Sequence, residues 1–268
     1  MNNHFKPLFF GLEAISPWPA FLPHGRLIQE HERHATLAFL GETDWEMLGP
    51  KLDAIPIPPF GAGLAGVFDK SLFLPTRHPH VVSWHVDFSE TLNTLEIYQK
   101  TLSNWLNTIG FPVSDHDQNW LPHVTLARQP FEFEAWKICF TPQPVVFKAI
   151  HLYQSVGNLR YHPLWSLPLV NPWDEIEHTE DIAFLLRGES LQQIYRHAQL
   201  ALAFKFPELL LHLPTNSELS SLDDVVILLN EAIALSDQEV GCPFKAVSFH
   251  GEVENINDVL HWEMIVDV

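Results

Sequence analysis

Cysteine is nearly missing from this chain. Cys139 and Cys242 are the only two in 268 residues, and they form no CxxC pair. That excludes a disulfide framework and suits a reducing, cytoplasmic setting with free thiols. Long apolar runs are missing as well. None approaches the ~18 residues that would span a bilayer. Residues 1–7 lack the basic segment and apolar core of a secretory leader, so a cytoplasmic protein with no membrane partner is expected. Positive charge is the third shortage: 15 Lys and Arg stand against 33 Asp and Glu, a net charge of −18. The deficit is uneven, −4 over residues 1–170 and −14 over residues 171–268. Such a chain is a poor non-specific binder of nucleic acid, and no DNA partner is expected. The break in charge, with Asn171-Pro172 beside it, marks two units, 1–170 and 171–268.

What the chain does have is one stretch that occurs twice. His34-Ala35-Thr36-Leu37-Ala38 and His123-Val124-Thr125-Leu126-Ala127 start 89 residues apart, each inside an apolar run rich in strand formers. On a strand, alternate side chains share a face, so each copy presents an imidazole and a hydroxyl about 7 Å apart. Spacing alone leaves open whether the copies face one another. If they do, two imidazoles can serve as base and acid near neutral pH, and two threonine hydroxyls can donate to phosphoryl oxygens. Side chains alone supply that kit, so no cofactor is expected for residues 1–170. H-x-T is common by chance; a shared H-x-T-L-A in two strand contexts is not.

The rest of the first unit reads as strands and helices in alternation. Strands are expected at 8–14, at 34–40 closed by Gly41, and at 64–68, 71–74, 81–88 and 121–128. Leu92, Leu95, Tyr98, Leu102 and Trp105 make a helical stripe, and Thr43 or Asp44 can cap a short helix. A hairpin is expected around Val156-Gly157-Asn158. Trp84, Trp120 and Trp165 are read first as core, then as base-stacking platforms. In the second unit, a strand at 182–186, helices after Ser190 and at 222–235, and paired strands at 244–254 and 259–268 give a small α+β module.

With these motifs in hand, residues 1–170 resemble the RNA 2′,3′-cyclic phosphodiesterases of the two-histidine phosphoesterase superfamily. Ile109-Gly110-Phe111, Leu152-Tyr153-Gln154-Ser155 and Tyr161-His162-Pro163-Leu164 agree with the paired motifs. The resemblance implies a bilobal α+β fold with two pseudo-symmetric sheet lobes, each giving one motif strand to a central cleft. It implies hydrolysis of an RNA terminal 2′,3′-cyclic phosphate to a 2′-phosphate, with His34 as the acid and His123 as the base, roles that swap if the substrate binds in the opposite sense. Thr36 and Thr125 would bind the phosphoryl oxygens. Arg128 and Arg160 are further candidates for the phosphate, although a regular strand would put Arg128 on the face opposite His123 and Thr125. Hydrolysis of a small cyclic nucleotide, or 2′–5′ joining of RNA ends, would use the same groups, and a non-catalytic scaffold is the alternative of another class.

Residues 171–268 resemble a shortened archease. Glu177-His178-Thr179-Glu180-Asp181-Ile182, Arg187-Gly188-Glu189-Ser190-Leu191, Lys245-Ala246-Val247-Ser248-Phe249-His250 and the final Val266-Asp267-Val268 carry the likeness. It implies a GTP-dependent RNA-splicing ligase as partner, and a Ca²⁺ site at Asp181, Asp267 and Val268. The two resemblances together imply a fused protein that works on RNA ends.

Overall fold

A computed structural model describes residues 4–113, 120–179, 181–213, 219–249 and 251–268, without the side chain of Glu90. Glu180 and His250, quoted above for the archease likeness, lie outside the described residues. No helix among these residues is long and apolar enough to cross a membrane. The chain forms two compact units. The first holds Met1–Pro59, Phe68–Thr141 and Phe147–Leu169. The second holds Val170–Val268 and also takes in Phe60–Val67 and Pro142–Val146. A single cut after residue 170 therefore leaves out two short segments, whose Ala65, Val67 and Val146 pack with Leu200.

The first sheet is built from β1 (Phe5–Ile15), β2 (Arg26–Leu27), β3 (His34–Asp44), β4 (Leu64–Leu74), β5 (Val81–Asp87), β6 (His123–Arg128), β7 (Gln143–Ser155) and β8 (Tyr161–Pro168). Its order is β1-β3-β6-β5-β4-β7-β8, with β2 on β6 and a further pairing of β1 with β7. All eight strands belong to one sheet, and the motif strands β3 and β6 are hydrogen-bonded neighbours within it. Helices α1 (Trp45–Leu48), α2 (Leu92–Thr108) and α3 (Phe133–Ile138) complete the unit. Asp44 caps α1 by accepting from the Glu46 amide at 3.0 Å.

The strand β3 does not end at Gly41. It runs to Asp44 through two bulges opposite β1, and Gly41 takes a φ of +66° within it, a conformation that glycine adopts without strain. Leu37 is the unpaired residue of one bulge, and its carbonyl, off the β1 ladder, accepts from Gln99 of α2 at 3.0 Å. That bond fixes α2 on the motif strand, with Leu95, Tyr98, Leu102 and Leu106 buried beneath. The expected strands at 64–68 and 71–74 are one strand, β4.

The second unit carries β9 (Trp173–Ile176), β10 (Ile182–Gly188), β11 (Ala246–Val247), β12 (Glu254–Ile256) and β13 (Val259–Asp267), ordered β11-β13-β10-β9 with β12 also on β13. Helices α4 (Leu191–Lys205) and α5 (Leu222–Val240) bury Ile194, Ala198, Leu229 and Ile233 in one core with Phe184, Trp262 and Met264. Ser190 caps α4, and Ser221 with Asp224 forms a capping box on α5. The continuous strand expected at 244–254 is instead two short pieces, both paired to β13, and β9 lies where only a linker is expected.

Candidate active site

The two motifs meet at one point of the first sheet. Ala35 of β3 pairs with Val124 of β6, antiparallel, and both are fully buried on the core face. Residues on either side of a pair point the other way. His34, Thr36, His123 and Thr125 therefore share the opposite face, with Thr125 beside His34 and Thr36 beside His123. Directly opposed residues stand about 5 Å apart at Cβ, so the four side chains form one compact cluster.

Each imidazole is set in the same tautomer by the same local device. His34 Nδ1 lies 2.7 Å from the carbonyl oxygen of Glu32, and His123 Nδ1 lies 2.7 Å from that of Leu121. A carbonyl oxygen only accepts, so Nδ1 carries the proton in both rings and Nε2 is left with its lone pair. The surroundings differ. His34 is buried among Phe9, Tyr153 and Tyr161, with ring centroids at 4.7, 5.0 and 4.9 Å. Burial pushes its pKa down to about 4 against the pull of the Glu32 carbonyl, and the His123 and His151 rings add to the fall. His123 is half-buried. Burial also lowers its pKa, the Leu121 carbonyl opposing and the His85 ring adding.

A cleft of about 260 Å³ opens over this face, lined among others by Phe9, His34, Thr36, Thr125, Arg128 and Tyr161. The place of Arg128 corrects the alternation expected of a regular strand. Along β6, Thr125 pairs with Ser83 while Ala127 pairs with Val82, so Leu126 is a bulge residue. Arg128 then pairs with Val81, which lies on the Ser83 side of β5. The extra residue turns Arg128 onto the face of Thr125. The Leu126 carbonyl, freed from β5, accepts from the Ile28 amide at 2.8 Å.

Arg160 is used differently from expectation. Its Nε donates to Glu32 Oε1 at 2.8 Å, and the Tyr161 amide donates to the same oxygen at 3.0 Å. Burial opposes ionisation of Glu32, but these donors hold its carboxyl below the usual value. Arg160 thus ties the loop before β8 to the residue whose carbonyl orients His34. Trp120 donates from Nε1 to the Thr36 carbonyl at 2.8 Å, and Trp84 is fully buried beside Phe68 and Trp18. Burial removes Trp84 as a platform for a base.

Three residues that sequence reading passed over belong to the site. Ser83 is fully buried, with Oγ 3.1 Å from Thr125 Oγ1. His85, two residues on, pairs directly with His123, and its Nδ1 lies 2.6 Å from Asp69 Oδ1. The signal available was the S-x-H alternation in a strand already recognised.

In the second unit, the pairing of Ile182 with Val266 brings Asp181 level with Asp267, next to Val268. Lys245 donates its ammonium to the Val268 carbonyl oxygen, and His178 Nδ1 lies 3.7 Å from Asp181 Oδ2. Among the described residues there is no group of three or more His, Cys, Asp or Glu arranged to hold a metal. Ca²⁺ takes about six to eight oxygens. With a lysine ammonium on one of the three expected ligands, the arrangement does not fit a calcium centre.

No protein-family model matches the chain, and no curated protein matches it. Several solved structures are similar to part of it. E. coli LigT complexed with 3'-AMP is 23% identical over 62% of this chain and 98% of that one, with a TM-score of 0.44. A structure described as a phosphoesterase is 21% identical over 62% and 98%, at 0.41. TT0787 of Thermus thermophilus is 18% identical over 61% and 97%, at 0.42. Identities and scores this low leave the function of this chain to its own residues.

Proposed function

We propose that the first unit hydrolyses RNA terminal 2′,3′-cyclic phosphates to 2′-phosphates at the β3–β6 face. One observation carries the reading: two imidazoles in matched tautomers, each with a threonine hydroxyl, meet on one face across the Ala35–Val124 pair. The balance of the step is simple. One neutral Nε2 takes a proton from water as its oxygen bonds to phosphorus. The bond from phosphorus to the 3′ oxygen breaks, and the second imidazole, protonated, gives its proton to that oxygen. Thr36, Thr125 and Arg128 donate to the phosphoryl oxygens, whose charge grows in the transition state.

The division of labour follows burial. Burial keeps the His34 ring unprotonated, so its Nε2 is open to act as the acceptor, and the less enclosed His123 is left as the donor. This exchanges the roles that the family resemblance implies. A substrate with a strongly activated leaving group needs no acid. The donor variant therefore recovers activity on it, and the acceptor variant does not. His123→Ala rescued and His34→Ala inert is the expected result; the opposite pattern restores the other assignment. The reaction itself is tested on an RNA oligomer ending in a 2′,3′-cyclic phosphate, with the product resolved by ³¹P NMR. An unchanged substrate, or a 3′-phosphate product, overturns the reading.

For the second unit, the archease likeness and the charge of −14 support docking on a GTP-dependent RNA-splicing ligase. Ligase guanylylation measured with and without the full-length protein tests this: faster guanylylation is expected, and no change removes the partner.

A further inference from the structure

The polar face continues along β6 past the two motifs. On one edge, β6 pairs with β5 from His123 to Arg128. On the other it pairs first with β3, at Ala35–Val124, and then with β2, as Leu27–Ala127 and Arg26–Arg128. The short strand β2 thus takes up the edge that β3 leaves, just past His34. Paired residues share a face. Arg128 lines the cleft with Thr125, so Arg26 stands on the cleft side as well. Ile28, two residues on from Arg26, lines the same cleft.

The strand that carries Arg26 is pinned at both ends. The Ile28 amide donates to the Leu126 carbonyl at 2.8 Å, and Trp136 Nε1 donates to the His24 carbonyl at 3.0 Å. A Cβ on Gly25 would lie 3.1 Å from the Ala127 Cβ, so glycine there lets β2 sit close on β6. The result is two arginines directly opposite one another, with Cβ atoms about 5 Å apart, an arrangement of like charges that destabilises a sheet. Both are exposed. Among the described residues, neither guanidinium takes part in an ion pair or a hydrogen bond. Arginine keeps its charge at any working pH and offers a fork of donors that matches phosphate. An anion lying between the two forks relieves the repulsion.

We propose that Arg26 forms a clamp with Arg128 for a second phosphate, that of the nucleotide adjoining the reacting one. The inference rests on the phosphodiesterase reading above. Arg128, on the strand of Thr125, is shared between the reacting phosphoryl group and this neighbour. Arg26, beyond it, touches the neighbour alone. The bound chain therefore leaves the reacting end along β6 towards β2, and the site prefers an oligonucleotide end to a mononucleotide.

The test compares two substrates with full-length protein: a nucleoside 2′,3′-cyclic monophosphate and a dinucleotide ending in the same cyclic phosphate. The wild type should favour the dinucleotide in kcat/KM by about tenfold, the size expected for one charge-assisted contact. Arg26→Gln should lose most of that factor on the dinucleotide and little on the mononucleotide, so the ratio falls towards one. Its plot of log kcat/KM against log salt on the dinucleotide should be shallower by about 0.7, the share of one phosphate on a single strand. Arg26→Lys, which keeps the charge without the fork, should retain part of the preference. Thermal unfolding of Arg26→Gln should occur no lower than that of the wild type, since a like-charge pair is removed. A wild type without the preference, a ratio that survives Arg26→Gln, or an equal loss on both substrates overturns this inference and leaves the phosphodiesterase reading standing. A wild type inert on both substrates overturns that reading and this one with it.

Discussion

The His34 half and the His123 half of the site are built alike and tuned apart. In both, a carbonyl two residues upstream accepts a hydrogen bond from Nδ1–H, Glu32 from the end of a 3-10 turn and Leu121 from a Leu-Pro step. The tautomer is thus a local matter, decided by the strand's own lead-in. Protonation is not local. Three aromatic rings close over His34, while His123 stays half-buried with a third imidazole across from it. A repeated motif fixes which atom can react, and the packing around each copy decides what it can do.

The largest effect should come from removing either ring. His34→Ala and His123→Ala should each lower kcat by about 10²–10⁴-fold, the usual worth of a positioned acid or base. A loss at one position alone would break the comparison. Next come the hydroxyls. Thr36→Val and Thr125→Val should each cost about 10²-fold in kcat. Ser83→Ala should cost about tenfold, because it acts only by holding Thr125; a Ser83 effect as large as that of Thr125 would make it a substrate contact.

Acid should separate the halves by stability. The folded pKa of His34, about 4, lies below the unfolded value near 6.5, so the unfolded chain binds the proton first as pH falls. The contribution is complete above pH ~6.5 and is lost on the way down to pH ~4, with a size on the order of 3 kcal/mol. Buried His197 in the second unit, also held at about 4, titrates with the same sign. Denaturant unfolding at pH 7 and pH 4.5 should show the loss, and His34→Gln should remove a distinct part of it. The smallest effect should be that of Gly11→Ala. A Cβ there would lie 3.3 Å from His34 Cδ2 and 3.3 Å from the Tyr153 ring, so it crowds only the His34 half. About 1 kcal/mol of stability and a few-fold in kcat should be lost.

The two His–Thr pairs were legible because strand alternation and a doubled H-x-T need no knowledge of the fold beyond strand identity; that they cluster rests on the pairing of Ala35 with Val124. The helix α2 and the β7–β8 hairpin were legible for the same reason, each carrying a local periodic or turn signal. Arg128 was not, because its direction depends on a bulge at Leu126 that only the pairing with β5 reveals. Arg160 looked like a free cation until the chain brought Glu32 to it from 128 residues away. Ser83 and His85 carried a readable alternation, but their value lies in the strand they face. The transfer of Phe60–Val67 and Pro142–Val146 to the second unit rests on contacts with Leu200, far along the chain. Local pattern was enough for the elements, and long-range pairing decided the rest.

If His34 and His123 act as one unit on one phosphate, their losses cannot multiply. A double-mutant cycle on an RNA 2′,3′-cyclic phosphate reads this, comparing kcat of His34→Ala, His123→Ala and the double variant. Groups that act together are strongly non-additive. The double variant should be about as slow as either single one. Losses that multiply, or a single variant with wild-type kcat, would contradict the joint role of the two rings.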